Sequence, residues 1–384
     1  MIMEIKLLFD ITATQPIGTN KRHGGGKYGE IVLRRMLERS VPIVCYYDSR
    51  LWLNPETEEL IKSNNVTLLD INGRTIDDIV EESACNTIFS ALPKHDLFHF
   101  HGCRVISTIH GLRTLETPAD SYCFYYKKSG WRDWAQFFLK KFIPRLYKER
   151  LRRYKLKEWK SDNFQMVTVS NHSSYSIKTY FPELKEKNIP VFYSPSTSSE
   201  RILSRKHSEK YFLMVSGARP EKNNLRAIKA LDDLFSKGYL DDCNVKITGV
   251  KSGDVYRYKI KNLERFDFLG FVNEEELDQL YHDAYSLIYP SLNEGFGYPP
   301  LEAMHYGVPV LASPFTSIPE VCEGAALYFN PFSVEEISAR ILAISNEVIH
   351  EEYSNRSKLQ YSKITAKQKK DLDALIDYIF NTQP

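Results

Sequence analysis

Two successive series of short apolar runs, interleaved with amphipathic stretches, constrain what this chain can fold into. In the first series MEIKLLFDI, PIVCYY, VTLLDI, DLFHFHG, VISTIH, MVTVS and IPVFYS read as strands. Tyr28–Arg39 and Ser173–Phe181 carry helical periodicity between them. The second series is YFLMVSG, NVKITGV, DFLGFV, YSLIYPS, PVLASP and AALYFN, with helices expected at Asn224–Ser236, Glu274–Ala284 and Val334–Ser345. Strands that alternate with helices run parallel, because each crossover returns the chain to the start of the next strand. The pattern therefore predicts an α/β chain of two Rossmann-like, doubly wound parallel-sheet domains, which suits its 384 residues. The polar, Ser-rich stretch Ser194–Glu209 marks the junction. The expected domains are 1–200 and 201–363, followed by a C-terminal helix over 364–384. Leu372, Leu375, Ile376 and Ile379 share one face of that helix, so it must dock, back on the first domain. Ligands of such sheets lie beyond the carboxyl ends of the strands, so the site is expected in a central cleft that the two domains face.

Composition removes several classes. Hydrophobic content of 42% and charged content of 26% are globular values. No run of 18 apolar residues suggests a transmembrane helix. MIMEIKLLFDIT lacks a basic leader and carries Glu4 and Asp10, so it reads as a first strand rather than a signal peptide. The six cysteines are scattered without a C-x-x-C pair, which fits reduced thiols in the cytoplasm. His99 and His101 in HFHG fall two apart on one strand face, but no third ligand stands near them in sequence, and they read as structural.

Charge is uneven. Lys127–Lys160 holds 13 Lys/Arg against three acids, a net of +10 in a chain whose total is +2. This insert, near 113–160, is assigned to the first domain. It carries three of the four tryptophans, and Trp131, Trp134, Phe138, Phe142 and Leu146 recur at helical steps among Lys140, Lys141, Arg145 and Lys148. Pro144 is expected to break it into two helices. Two readings stay open: an interfacial helix on an anionic membrane surface, or a hairpin whose aromatics pack into the core. No nucleic-acid-binding pattern accompanies the charge, and nucleic acid is not an expected partner.

Two glycine-rich stretches carry chemistry. HGGGKYGE, His23–Glu30, matches the dinucleotide spacing G-x-G-x-x-G. The fingerprint, however, requires glycines directly after a strand, and Thr12–Arg22 intervenes. SLNEGFGYPPLEAMHYGVPVLAS, Ser291–Ser313, follows a strand, turns at Gly295 and Gly297, and enters a short helix. A glycine turn that opens a helix offers free amides to an anion. Glu294 and Glu302 bracket this turn, and each carboxylate can accept paired hydrogen bonds from vicinal hydroxyls.

The whole string EGFGYPPLEAMHYGVPV resembles the signature of retaining GT-B glycosyltransferases of the family-4 type, the glycosyl transferases group 1. SGARPEKNNL, FLGFVNEEELDQLYHDAYSLIYPS, STIHGL, VTVSNHSSYSI, SIPEVCEGAALYFNP and GGGKYGE look like further landmarks in the same order. The resemblance runs from about residue 20 to 335, with a gap at 113–160. It implies a GT-B fold and transfer of a sugar from a nucleotide donor, linked to GDP, UDP or ADP, to a hydroxyl of a glycan or lipid-linked glycan. Arg219 and Lys222 match the basic pair that neutralises the donor diphosphate. Glu302 matches the acid on the ribose, and Glu294 the acid beside the donor sugar. Gly295, Phe296, Gly297, Tyr298 and Leu301 belong to the donor-binding turn, and Gly270, Phe271 and Val272 to the turn that reads the base. Gly25 and Gly26 match the glycine loop that approaches the donor phosphate. His110 matches a histidine that faces the transferred sugar. Relatives commonly follow it with Asp, where Gly111 stands here. The resemblance implies retention of configuration, no cofactor and no obligate metal. A GT-B phosphorylase, a sugar-nucleotide epimerase and a non-catalytic GT-B subunit are the alternatives. The cytoplasm is the expected location, the inner face of the membrane being the variant that the basic insert allows.

Overall fold

The computed structural model describes residues 6–16, 23–94, 97, 102–127, 130–195 and 209–381. His99 and His101 lie outside the described residues, as does most of DLFHFHG. The chain divides into two compact units. One comprises Met1–Leu112, Arg150–Thr197 and Thr365–Pro384; the other comprises Arg113–Glu149 and Ser198–Ile364.

The first unit is built on a parallel sheet of β1 (Leu7–Asp10), β2 (Ile43–Tyr47), β3 (Leu68–Asp70), β4 (Thr87–Ser90), β5 (Arg104–Ile109) and β6 (Phe164–Thr168). Their order is β3-β2-β1-β4-β5-β6, the doubly wound order that reverses between its first and fourth strands. Helices α1 (Gly24–Glu38), α2 (Pro55–Ser63) and α3 (Ile76–Ser83) connect the strands. The insert follows as α4 (Arg113–Glu116), α5 (Trp131–Phe142) and α6 (Pro144–Trp159), and α7 (Asn171–Tyr180) comes after β6.

The second unit repeats the plan. Strands β7 (Lys210–Met214), β8 (Cys243–Thr248), β9 (Phe266–Gly270), β10 (Ser286–Tyr289), β11 (Val310–Ala312) and β12 (Ala326–Tyr328) pair in parallel in the order β12-β11-β10-β7-β8-β9. Its helices are α8 (Asn224–Ser236), α9 (Glu274–Asp283), α10 (Tyr298–His305), α11 (Ile318–Cys322) and α12 (Val334–Ile344), and α13 (Glu347–Asn381) closes the chain. Period-2 side-chain alternation splits β7 between two cores. Phe212 and Met214 pack with Leu231 of α8 and Ile341 of α12. Tyr211, Leu213 and Val215 pack with Tyr281 of α9 and Met304 of α10. Each buried side chain of this size contributes about 1.5–3 kcal/mol.

Several expectations need correction. β4 was not among the expected strands, and IPVFYS supplies only the single bridge Thr168–Val191 rather than a strand. Arg113–Glu149 groups with the second unit, not the first. Its attachments explain why. Tyr126 and Tyr256 form an antiparallel bridge, the Lys127 amide donates to the Val255 carbonyl at 2.8 Å, and Arg226 makes a forked pair with Asp120 at 2.6 and 2.8 Å. Pro144 does break the insert, between α5 and α6. The last helix starts at Glu347, well before 364. Its residues to Ile364 belong to the second unit and those from Thr365 to the first.

Candidate active site

β7 and β10 are neighbours at the point where the second sheet reverses its order, with Leu213 opposite Leu287. Loops leaving two such strands diverge to opposite faces and open a crevice between them. The loop after β7 carries Arg219 and Lys222; the loop after β10 carries Glu294. Lys222 ends a short 3-10 turn, Pro220–Lys222, and its side chain is buried. Its Nζ donates to Glu294 Oε1 at 2.6 Å and to Tyr289 Oη at 2.7 Å. The Ser291 hydroxyl donates to the same carboxylate oxygen. The Glu294 backbone is pinned as well, its amide on Thr316 Oγ1 at 2.9 Å and its carbonyl accepting from Ser317 Oγ at 3.0 Å.

Burial works against both charges and the pair resists it. Burial holds the Lys222 ammonium below its ordinary pKa, with the Glu294 charge pulling the other way. Burial would raise the Glu294 carboxyl, but the Lys222 charge and the hydrogen bonds from Lys222, Ser291 and Tyr289 outweigh it and hold its pKa below the usual value. Arg219 is more open. Its guanidinium holds Glu221 Oε1 at 3.0 Å through Nε, and Arg113 of the insert approaches the same carboxylate at 3.6 Å. Sequence reasoning missed Tyr289 and Ser291. A strand-end Tyr reads as core, and only its position five residues before Glu294 marked it.

The rest of the expected donor turn follows directly. Gly297 precedes α10 with φ +116°, and Pro299 and Pro300 fill the next helical positions after Tyr298. Proline has no N–H, so Pro299 and Pro300 offer no amide to an anion at this helix start. Phe296 is buried. Glu302 sits in α10, and its carboxylate takes a hydrogen bond from the buried Tyr281 hydroxyl. Gly270 has both backbone groups engaged, its amide on Val250 at 2.9 Å and its carbonyl on the Gly249 amide at 2.5 Å. Phe271, 90% exposed, and Val272 line a cavity of about 620 Å³ with Asn273 and Glu276.

His110, Gly25 and Gly26 lie in the first unit and form a cluster of their own. His110 follows β5. Its Nε2 meets the Ala91 carbonyl at 2.9 Å, and its ring stands edge-on to Tyr28 of α1 at 4.9 Å. A carbonyl only accepts, so Nε2 carries the proton and Nδ1 presents a lone pair. Burial lowers the pKa of the ring to about 4, against the Ala91 hydrogen bond, so the imidazole is neutral at pH 7. Gly111 has φ +137°, a conformation that an Asp would rarely adopt.

The glycine stretch is the first turn of α1 rather than a loop before it. His23 caps it, with Nδ1 accepting from the Gly26 amide at 3.0 Å. The Gly26 amide is therefore occupied, and Gly24 and Gly25 retain the amides that a helix start leaves unpaired. A Cβ on Gly25 would stand 2.5 Å from Leu92 Cδ1, so any larger residue here makes the Leu92 side chain in the loop after β4 move. No group of three or more His, Cys, Asp or Glu suited to a metal occurs among the described residues.

Comparison with known proteins decides the family. The family model "Glycosyl transferases group 1" matches residues 196–360. The O-antigen chain mannosyltransferase RfbU of Salmonella typhimurium is 30% identical over 274 residues, 67% of this chain and 71% of that protein. This chain belongs to the group 1 glycosyltransferases. Solved structures bear out the GT-B fold. WaaG, a glycosyltransferase involved in lipopolysaccharide biosynthesis, matches with TM-score 0.66 at 14% identity, over 98% of this chain and 100% of WaaG. Anabaena Alr3699/HepE, solved in complex with UDP-glucose, matches with TM-score 0.62 at 14% identity, over 97% and 100% of the two chains. The dinucleotide spacing at His23–Glu30 thus belongs to a glycosyltransferase.

Proposed function

We propose that this glycosyltransferase moves a hexose, mannose foremost, from a nucleotide sugar to a hydroxyl of a surface polysaccharide or its lipid-linked precursor, with retention and without a metal. The observation that carries the reading is the buried Lys222–Glu294 pair beside Arg219 at the crevice of the second sheet. A nucleoside diphosphate departs only if fixed positive charge meets it, and Arg219 and Lys222 supply that charge in place of a metal. Arg219 suits a forked phosphate contact and Lys222 a point contact. Glu294, kept ionised, accepts from a hydroxyl of the donor sugar. Glu302 takes the ribose hydroxyls, and Phe271 with Val272 meets the base. His110 serves as a neutral hydrogen-bonding ring toward the sugar.

The acceptor oxygen forms the new bond to the anomeric carbon on the face from which the diphosphate leaves. The departing phosphate oxygen takes the acceptor proton, so no side-chain nucleophile is needed. This differs from two-carboxylate hydrolysis, in which both acids flank one bond. The names of RfbU and of the serotype-specific mannosyltransferase WbdA, 38% identical over 100 residues, support mannose as the sugar. Purified protein with GDP-mannose, UDP-glucose or ADP-glucose in excess chelator tests the reading. Transfer from one donor with an α-linked product is expected; a β-linked product or a requirement for added metal would sink it.

The insert supports a membrane-facing role. Trp131, Phe138, Phe142 and Leu146 are exposed, by 47–76%, in a stripe interleaved with Lys and Arg. Phe137 of α5 packs inward with its ring against Phe124, and Trp134 stacks on the same ring at 3.6 Å. Exposed aromatics beside cations suit an anionic lipid surface. Flotation with vesicles of phosphatidylglycerol is expected to carry the protein, and neutral vesicles are not. No helix among the described residues is long and apolar enough to cross a membrane.

A further inference from the structure

The insert also encloses space. Together with the donor-site loops it walls a cavity of about 430 Å³, within the usual range for small-molecule sites of about 300–1,000 Å³. Pro220 and Glu221 of the Lys222 turn and Leu292, two residues before Glu294, make one side. Thr117, Gln136 and Phe137 of the insert stand on the other. All of these residues belong to the second unit, so the cavity is complete within it.

Its chemistry is that of a carbohydrate site. Phe137 and the prolines offer flat apolar surface to the C–H face of a pyranose, while Gln136 offers an exposed amide donor and acceptor. One wall hydroxyl, Thr117 Oγ1, has no hydrogen-bond partner among the described residues. The Tyr126 side chain is only 2% exposed and turns its hydroxyl to the Leu225 amide. The acids of the wall are already engaged: Asp120 by Arg226, Asp133 by the Gly130 amide and Glu221 by Arg219. With its acids engaged the cavity does not call for a cation, and Arg113 and Lys140 on the wall can donate to the hydroxyls of a sugar.

We infer that this cavity is a subsite for the acceptor saccharide, holding the sugar residues next to the hydroxyl that is glycosylated. The inference rests on the transferase reading and adds that the donor-binding unit itself grips the acceptor, through the insert.

Ala119, exposed on the cavity wall, provides the test. Ala119→Trp fills the space and alters none of Arg219, Lys222, Glu294 or Glu302. The full chain, saturated with GDP, is titrated calorimetrically with α-linked mannobiose and mannotriose, and GDP-mannose binding is read separately by thermal shift. Saturable binding to the unaltered chain is expected. Ala119→Trp should weaken it by about tenfold or more, raising the acceptor KM in step, with unchanged unliganded melting temperature and unchanged GDP-mannose shift. Equal mannobiose binding by Ala119→Trp and the unaltered chain, or no saturable binding by the unaltered chain, overturns the subsite. Absence of any nucleotide-sugar shift in the unaltered chain overturns the transferase reading instead.

Discussion

Lys222 and Glu294 form a buried ion pair in which each charge offsets the burial of the other. Breaking one side of such a buried pair costs about 3–5 kcal/mol, because the other charge is left uncompensated. Glu294→Gln and Lys222→Met are each expected to lower stability by that order in urea titrations. The double variant should recover most of the stability and none of the transfer, which for the single variants falls by about 10²-fold or more. Full transfer by Glu294→Gln with normal donor binding would remove its assigned role. His110 gives a second prediction at this scale. Its folded pKa of about 4 lies below the unfolded value of 6.5. Between these values the unfolded chain binds the extra proton, so stability falls as pH drops from 6.5 toward 4, by up to about 3 kcal/mol. His110→Gln should flatten that part of the stability–pH curve, and an unchanged slope would refute the burial of a neutral ring. The sequence singled out Glu294, Glu302, Lys222 and His110 as candidates, because spacing and resemblance report residue types at fixed places. It did not expose Tyr289 or Ser291, since what makes them matter is where their hydroxyls point, and apolar or small residues at a strand end carry no such signal.

At the scale of elements, α1 shows propensity and packing in opposition. Replacing Gly25 with Ala would favour the helix by about 1 kcal/mol. The added Cβ, however, would meet Leu92 Cδ1 at 2.5 Å and Cγ at 2.7 Å, and overpacking of this kind costs about 1–3 kcal/mol. Gly25→Ala is therefore expected to lower the melting temperature, and Leu92→Ala in the same chain to restore part of it; a simple gain in stability from Gly25→Ala would show that the approach to Leu92 is loose. Elements with a strong period were legible: α8 has the expected bounds, and Pro144 separates two helices as its missing N–H requires. β4 escaped because TIFS is only four residues long, too short to show a period of its own. The early start of α13 escaped because residues such as Val348 and Leu359 are exposed, so no apolar stripe announces that half of the helix.

Over the whole molecule, the chain order and the division into units disagree, and the disagreements are physical. Both sheets follow from alternating strands and helices, which local sequence reveals. The allegiance of the insert and of α13 depends on tertiary partners such as Asp120 with Arg226, which local sequence does not reveal. The end of α13 supplies the first unit with Leu375, Ile376 and Ile379, all buried. It also supplies Asp371, whose carboxylate accepts from the Tyr193 amide at 2.9 Å, and Asp373, which accepts from Arg35 at 2.7 Å. The exposed ion pair adds about 0–1 kcal/mol. The three apolar side chains add about 1.5–3 kcal/mol each, a sum comparable with the whole stability of a domain at about 5–15 kcal/mol. A chain ending at Ile364 should therefore lose the calorimetric transition of the first unit. The second unit keeps Arg219, Lys222, Glu294 and Glu302, so its transition should remain and still rise with a nucleotide sugar, by about 2.7 kcal/mol at a hundredfold excess over Kd. If the truncated chain instead shows no transition that responds to donor, the second unit does not fold and bind without the first, and donor recognition cannot be assigned to it alone.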